Sequence, residues 1–374
     1  MNFFNTYIDP SAASKVAEVL NSTFLSEGKL VKEFENQLAQ NYGILNPIAV
    51  NSGTTALHLA LVLAGVEEGD EVLLPAQTFV ATGLVILQQK ATPVFVDVNY
   101  LDGNISIEDI KRKITKKTKV IIAVHWAGYP CDMDEICKIA KEHNLVVIED
   151  AAHALGAEYM GRAIGSISDF TCFSFQAIKH LTTGDGGLLA CQSAETYRDA
   201  IKMRWFGIDR VNSSPSILGE RIYNLDKLGF KYHMNDYEAA LGIANLIGFK
   251  NRLQHLQEIS EIYENGLRSI DEITLFERKI DRKSSNWLFG FHINDRLSFI
   301  EYLKNLGIPS SVVHQRIDKY KVFGGETKGL TNQEKFDNSQ IHIPIHNAIT
   351  VEQANFIVDS IKKYFHEKNS NFRG

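Results

Sequence analysis

Over the first two-thirds of the chain, short apolar, β-rich runs alternate with stretches whose apolar positions recur at helical spacing. The runs predict strands at Pro47–Val50, Glu71–Leu74, Pro93–Val98, Lys119–His125, Leu145–Glu149, Phe170–Phe175 and Gly187–Cys191. Several, such as VIIAV and LVVIE, show no polar alternation, the pattern of strands covered on both faces in a mostly parallel sheet. The intervening spacing predicts helices at Thr55–Ala64, Ala81–Gln89, Ile107–Ile114, Met133–His143 and Ala194–Arg204, which together describe an α/β layered domain. One long helical pattern then runs from Asn235 to Ile270, with Leu253, Leu256, Ile259, Tyr263 and Leu267 in register in its second half. A smaller C-terminal α/β domain follows, with a strand at Trp287–Ile293, a helix at Asp295–Leu306 and a final helix at Thr350–Tyr364. Thr350 and Gln353 supply the two ends of a capping box for that last helix.

At 374 residues the chain is longer than one core usually organises, which favours two domains. The expected division is residues 1–240 for the large domain, including N-terminal helices, and 241–374 for a linker helix and the small domain. The polar tail KNSNFRG is expected to be loose. A net charge of -6 gives no electrostatic case for binding nucleic acid or an anionic membrane. No apolar stretch is long enough to predict a membrane span, and the opening MNFFNTYIDPSAA lacks the layout of a signal peptide. The four cysteines form no C-x-x-C pair and are expected to be reduced thiols in a cytoplasm. Neither a G-x-G-x-x-G turn after the first strand, nor a Walker loop, nor an H-E-x-x-H helix occurs, so no nicotinamide or metal chemistry is expected.

Three segments carry chemistry. Asn51-Ser52-Gly53-Thr54-Thr55 lies between a strand and an apolar helix, where free N–H groups and the helix dipole suit a phosphate. By itself it is equally a plain strand–helix turn. Glu149-Asp150-Ala151-Ala152-His153 ends a buried strand, so Asp150 is expected at the carboxyl edge of the sheet, where open α/β sheets bind ligands. A buried carboxylate there needs a cationic or hydrogen-bonding partner, and a protonated pyridine nitrogen is one such group. Lys179 leaves the end of an apolar strand and is followed by the glycine-rich return Gly184-Asp185-Gly186-Gly187. Burial lowers the pKa of a lysine, and a neutral amine forms an imine with an aldehyde. Each segment alone has an ordinary structural explanation; the three in this order do not.

With these residues in place, the sequence resembles the DegT/StrS family of nucleotide-sugar aminotransferases, within the fold-type I, aspartate aminotransferase-like enzymes that use pyridoxal 5′-phosphate (PLP). The resemblance runs from VKEFENQLAQNYG and NSGTTALHLAL through LLPAQTFVATG, FVDV, HWAGYPCDMDEI, IEDAAHALGAEYMGRAIGSISDF and FSFQAIKHLTTGDGGLLA to GFKYHMNDYEAALG and IPIHNAITVEQ. It implies a large domain with a mostly parallel seven-stranded sheet and a smaller C-terminal α/β domain. It implies that Lys179 forms the Schiff base, that Asp150 pairs with the pyridine nitrogen and that His153 lies near the 3′-hydroxyl. By the same resemblance Phe79 stacks on the ring, and Gly53, Thr54, Thr55 and Ser174 hold the phosphate. Gln77 is placed to position substrate or cofactor, and His314 and Arg316 face the substrate. Where family members often carry Asn in G-Y-N-Y-R-M, donated across a dimer interface to the phosphate, this chain has Lys231 in GFKYHM.

The implied reaction is transfer of an amino group from an amino acid, L-glutamate, to a nucleotide-linked keto-deoxysugar for surface polysaccharide or related amino-sugar biosynthesis. Pyridoxamine 5′-phosphate is the intermediate, and a homodimer shares its active sites. Three alternatives stand beside it: amination of a free keto sugar, sugar acid or cyclitol; sugar dehydration, which in this family usually replaces the lysine by His; and PLP binding without catalysis in a regulator.

Overall fold

The computed structural model describes residues 1–210, 212–223 and 225–371. Helices α1 (Ala12–Ser22) and α2 (Lys29–Tyr42) precede a seven-stranded sheet made of β1 (Pro47–Val50), β2 (Glu71–Pro75), β3 (Thr92–Val96), β4 (Thr118–Val124), β5 (Val146–Asp150), β6 (Phe170–Ser174) and β7 (Gly187–Cys191). Their order across the sheet is β1-β7-β6-β5-β4-β2-β3. Helices α3 (Gly53–Leu63), α4 (Val80–Gln88), α5 (Ile107–Lys113) and α6 (Met133–His143) provide the crossovers that parallel neighbours require. Only β7 runs against its neighbours, β1 and β6, because the chain turns back through residues 175–186 instead of crossing over. Helix α7 (Ala194–Met203) follows it.

The apolar runs are explained by cover on both faces. Successive residues of β4 point to opposite sides: Val120, Ile122 and Val124 join one core with Leu59 and Ile148, while Ile121 and Ala123 join another with Phe34 and Phe173. Every one of these positions must therefore be apolar.

The helical pattern from Asn235 to Ile270 is not one helix. Helix α8 (Asp236–Leu246) ends before Gly248, which has φ +69°, and α9 (Phe249–Leu267) starts after it. The two helices belong to different cores. Ala239, Ile243 and Leu246 pack with the sheet, whereas Leu256, Ile259, Tyr263 and Leu267 pack with Ile357 and Ile361. Helical spacing runs on through the break, so periodicity alone does not reveal it.

The C-terminal core is built on an antiparallel sheet of β8 (Thr274–Leu275), β9 (Phe289–His292) and β10 (Gln340–Ile343). It is covered by α10 (Arg296–Asn305) and α12 (Val351–Asn371), with α11 (Thr331–Ser339) leading into β10. Strand β9 is shorter than the spacing predicts and leaves Trp287 outside it. Helix α12 continues beyond Tyr364, and the last three residues of the polar tail lie outside the described residues. Among the described residues no helix is long and apolar enough to cross a membrane.

The sheet and the turn after β1 meet with no space to spare at Gly187. A Cβ there would lie 2.3 Å from the Ser52 carbonyl carbon and oxygen, which are backbone atoms and cannot swing aside. Gly187→Ala is therefore expected to lower unfolding free energy by about 1–3 kcal/mol, the usual cost of overpacking, as read by urea denaturation. An unchanged midpoint would show that this contact yields freely.

Candidate active site

The carboxyl ends of β5 and β6 and the turn after β1 open on one cavity of about 330 Å³. Its floor begins at Ser52, whose hydroxyl accepts the Thr55 N–H at 3.1 Å while the Thr55 hydroxyl accepts the Ser52 N–H at 3.2 Å. This capping box starts α3 and leaves Gly53 and Thr54 in its first turn, facing the cavity. N–H groups in a first helical turn have no partner inside the helix and attract an anion. The turn is pressed onto β6: a Cβ on Gly53 would lie 2.9 Å from the Ser174 Cβ. Ser174 thus sits beside the same N–H groups.

Asp150 is the last residue of β5 and points into the cavity, while Glu149, one residue earlier, points the opposite way. Glu149 is completely buried and accepts hydrogen bonds from His125 at 2.8 Å, Ser168 at 2.7 Å and Thr171 at 2.9 Å, so its needs are met internally. Asp150 accepts the Thr82 hydroxyl at 2.7 Å and the Ala152 N–H at 3.2 Å. Burial raises its proton affinity, against the pull of both donors and of Lys179. Of the two adjacent carboxylates, Asp150 is the one still short of a cation.

Lys179 follows β6 by one short turn. Its amine lies 3.8 Å from the ring centre of Trp287, and desolvation by the surrounding protein lowers its pKa to about 7 although Asp150 opposes the shift. His153 stacks on the same indole at 3.6 Å between ring centres and 15° between planes. Its Nδ1 is buried with no partner among the described residues, and desolvation, helped by the Lys179 charge, holds the ring neutral. Phe79 is half exposed at the cavity wall, 5.3 Å from His314, and His314 also lines the cavity. Burial and then Lys179 lower the His314 pKa to about 4.

The structure brings Gly53, Thr54, Phe79, Asp150, His153, Ser174, Lys179 and His314 to one cavity and leaves four expected site residues off its wall. Thr55 acts through the cap. Gln77 is fully buried behind His314, donating to its backbone oxygen at 3.2 Å and accepting from Gln333 at 3.0 Å. Arg316 does not line the cavity. It is 2% exposed, and its guanidinium is bound to Asp318 at 2.7 and 2.6 Å and to Glu326 at 3.2 Å, so its charge is already neutralised inside the loop. Lys231 is exposed and pairs through its backbone with Trp205; it does not reach this chain's cavity.

Trp287 is a residue that sequence reasoning missed. Besides its contacts with Lys179 and His153, its Nε1–H donates to the Ile178 oxygen at 3.1 Å, and the neighbouring Ser285 oxygen pairs with the His180 ring at 2.9 Å. The C-terminal body thus grips the Lys179 loop on both sides of the lysine. An aromatic at the start of a predicted strand reads as core, and no local motif marks it otherwise.

These residues fit PLP. A turn of free N–H groups at the start of α3 suits its phosphate, Asp150 its ring nitrogen and the unpartnered His153 Nδ1 an oxygen on the ring. The desolvated Lys179 amine suits its aldehyde.

The model of the DegT/DnrJ/EryC1/StrS aminotransferase family matches residues 6–362. GDP-perosamine synthase of Escherichia coli O157:H7 is 31% identical over 98% of this chain and 100% of its own length. The crystal structure of the sugar aminotransferase CalS13 from Micromonospora echinospora superimposes with a TM-score of 0.92 at 30% identity, covering 97% of this chain and 99% of that one. Spr1654 from Streptococcus pneumoniae, in its PMP form, does so with a TM-score of 0.90 at 28% identity, covering 98% and 99%.

Only a neutral amine attacks an aldehyde, so the Lys179 environment predicts a pH dependence. Covalent capture of PLP by the cofactor-free protein, trapped with borohydride and mapped by mass spectrometry, is expected at Lys179. Its rate should rise as pH rises through about 7, well below the range of an ordinary lysine. A midpoint near 10 would contradict the burial argument.

Proposed function

The chain belongs to the DegT/DnrJ/EryC1/StrS aminotransferase family, and from that premise we propose that it moves the amino group of L-glutamate onto a keto-deoxysugar carried by a nucleotide. It is a PLP-dependent aminotransferase that takes an amino donor and a keto-sugar acceptor. The nucleotide, the donor and the roles given to single residues are our reading. The observation that carries it is one cavity holding a low-pKa amine, a buried carboxylate and a helix N-terminus at the carboxyl edge of the sheet.

When bound, the cofactor supplies an aldehyde and an electron-withdrawing ring. Lys179 would hold it through its amine and would move a proton at the α-carbon of the amino donor. An amine that titrates near 7 is matched to both taking and returning that proton. Asp150 keeps the ring nitrogen protonated. Gly53 and Thr54, through their N–H groups, and Ser174, through its hydroxyl, bind the phosphate. His153 orients the ring at its oxygen, with Trp287 backing both His153 and Lys179. Phe79 and His314 form a wall of the cavity that would flank the ring and the sugar. Lys231, exposed and remote from its own cavity, fits a phosphate contact to the neighbouring subunit of a homodimer. The nucleotide-sugar reading is supported by the likeness to a GDP-perosamine synthase along its full length.

The test is a screen with ¹⁵N-glutamate against UDP- and GDP-linked keto-deoxysugars beside free keto sugars, sugar acids and cyclitols. Label is expected in a nucleotide sugar. Label only in a free sugar or cyclitol would overturn the nucleotide assignment, and formation of a deoxysugar without label would point to dehydration. Lys179→Ala is expected to lose at least about a thousandfold in turnover, the scale of a lost acid–base and covalent catalyst. Normal amination by that variant would remove Lys179 as proton carrier.

A further inference from the structure

Asp150 draws its two hydrogen-bond donors from different elements. The Ala152 N–H reaches Oδ1 from just beyond the strand end, at 3.2 Å. The Thr82 hydroxyl reaches Oδ2 from the first turn of α4, at 2.7 Å. Thr82 is fully buried, and the hydroxyl of Thr78, itself 1% exposed, lies 2.7 Å from that of Thr82. A threonine hydroxyl has one proton. Thr82 gives its proton to the carboxylate, so Thr78 must donate to Thr82, and the three groups form a directional chain. A helical threonine commonly turns its hydroxyl back to a carbonyl on the preceding turn. Here it is turned toward a carboxylate of another element, at the wall of the cavity.

We propose that Thr82, oriented by Thr78, is a positioning residue that keeps Asp150 an acceptor and so keeps the proton on the ring nitrogen of the bound cofactor. The inference rests on the reading in which Asp150 meets that nitrogen. Carboxylate and ring nitrogen share a single proton. Burial strengthens the carboxylate as a base, and each donor aimed at it weakens it again. With the Thr82 donor present, the proton stays on the ring, where it sustains electron withdrawal. Without that donor, the carboxylate competes for it. A hydrogen bond to a charged group in a dry site biases such an equilibrium by roughly 10- to 100-fold.

The experiment compares holoenzymes loaded with PLP carrying ¹⁵N in the ring: wild type, Thr82→Val, Thr82→Ser, Thr78→Val and Asp150→Asn. The ¹⁵N chemical shift reports ring protonation, and a thermal melt of each sample reports stability separately. Thr82→Val is nearly isosteric and is expected to move the signal toward the unprotonated ring and to lower kcat by about tenfold or more. Thr82→Ser restores the wild-type signal, and Thr78→Val moves it less, in the same direction. A wild-type signal in Thr82→Val, or no rescue by Ser, overturns the proposal. If Thr82→Val does not fold, a wild-type signal in Thr78→Val overturns it instead. Asp150→Asn separates the two levels. If it leaves the signal unchanged, the assignment of Asp150 falls and this inference with it; if it moves the signal while Thr82→Val does not, only the role of Thr82 falls.

Discussion

A buried carboxylate and a desolvated amine on the wall of one cavity are the constraint on which the site depends. Asp150 ends a strand whose other residues are walled in on both faces, so its side chain has one direction in which to meet a ligand. Lys179 reaches the same cavity from the next strand. The amine is kept near neutrality by desolvation, while the carboxylate a short distance away prevents that desolvation from going further. Neither group has this character in isolation. An exposed Lys179 would be an ammonium at any physiological pH, and Asp150 without its donors would take up a proton more readily.

The fold supplies that desolvation from two sides. The seven-stranded sheet positions the carboxyl ends of β5 and β6 and the phosphate turn. The segment leading into β9 then closes over Lys179 from the C-terminal side, with Trp287 against the amine and its neighbour Ser285 holding His180. The N-terminal segment is laid over the same junction: Phe4 stacks on Trp287 with 5.2 Å between ring centres, and Thr6 donates to the Ala177 oxygen at 2.8 Å. The Lys179 loop is thus bonded both to the N-terminal segment and to residues 285–287, which limits how far it moves.

How much of this was legible in the sequence differs from residue to residue. Asp150, Ser174 and Lys179 were legible because each follows an apolar run that can only be a buried strand, and strand ends mark the ligand edge of such a sheet. Gln77 and Arg316 were assigned to the correct neighbourhood but on the wrong side of it. A polar side chain beside a cavity can face the ligand or brace the wall, and its partners decide which: Gln333 and His314 for Gln77, Asp318 and Glu326 for Arg316. The break at Gly248 was hidden because helical spacing carried on across it.

The sequence by itself determined the alternation of strands and helices, the sheet-edge position of the reactive groups and the family chemistry, because these rest on local periodicity and on residue type at strand ends. Only the tertiary structure decided that Trp287 covers Lys179, that Thr82 serves Asp150, and that Arg316 is spent on an internal ion pair. The first two are contacts between segments far apart in the chain, and the third is a short loop whose fold turns the guanidinium onto its own neighbours. Their energy comes from desolvation and hydrogen-bond geometry, which exist only after the chain has packed.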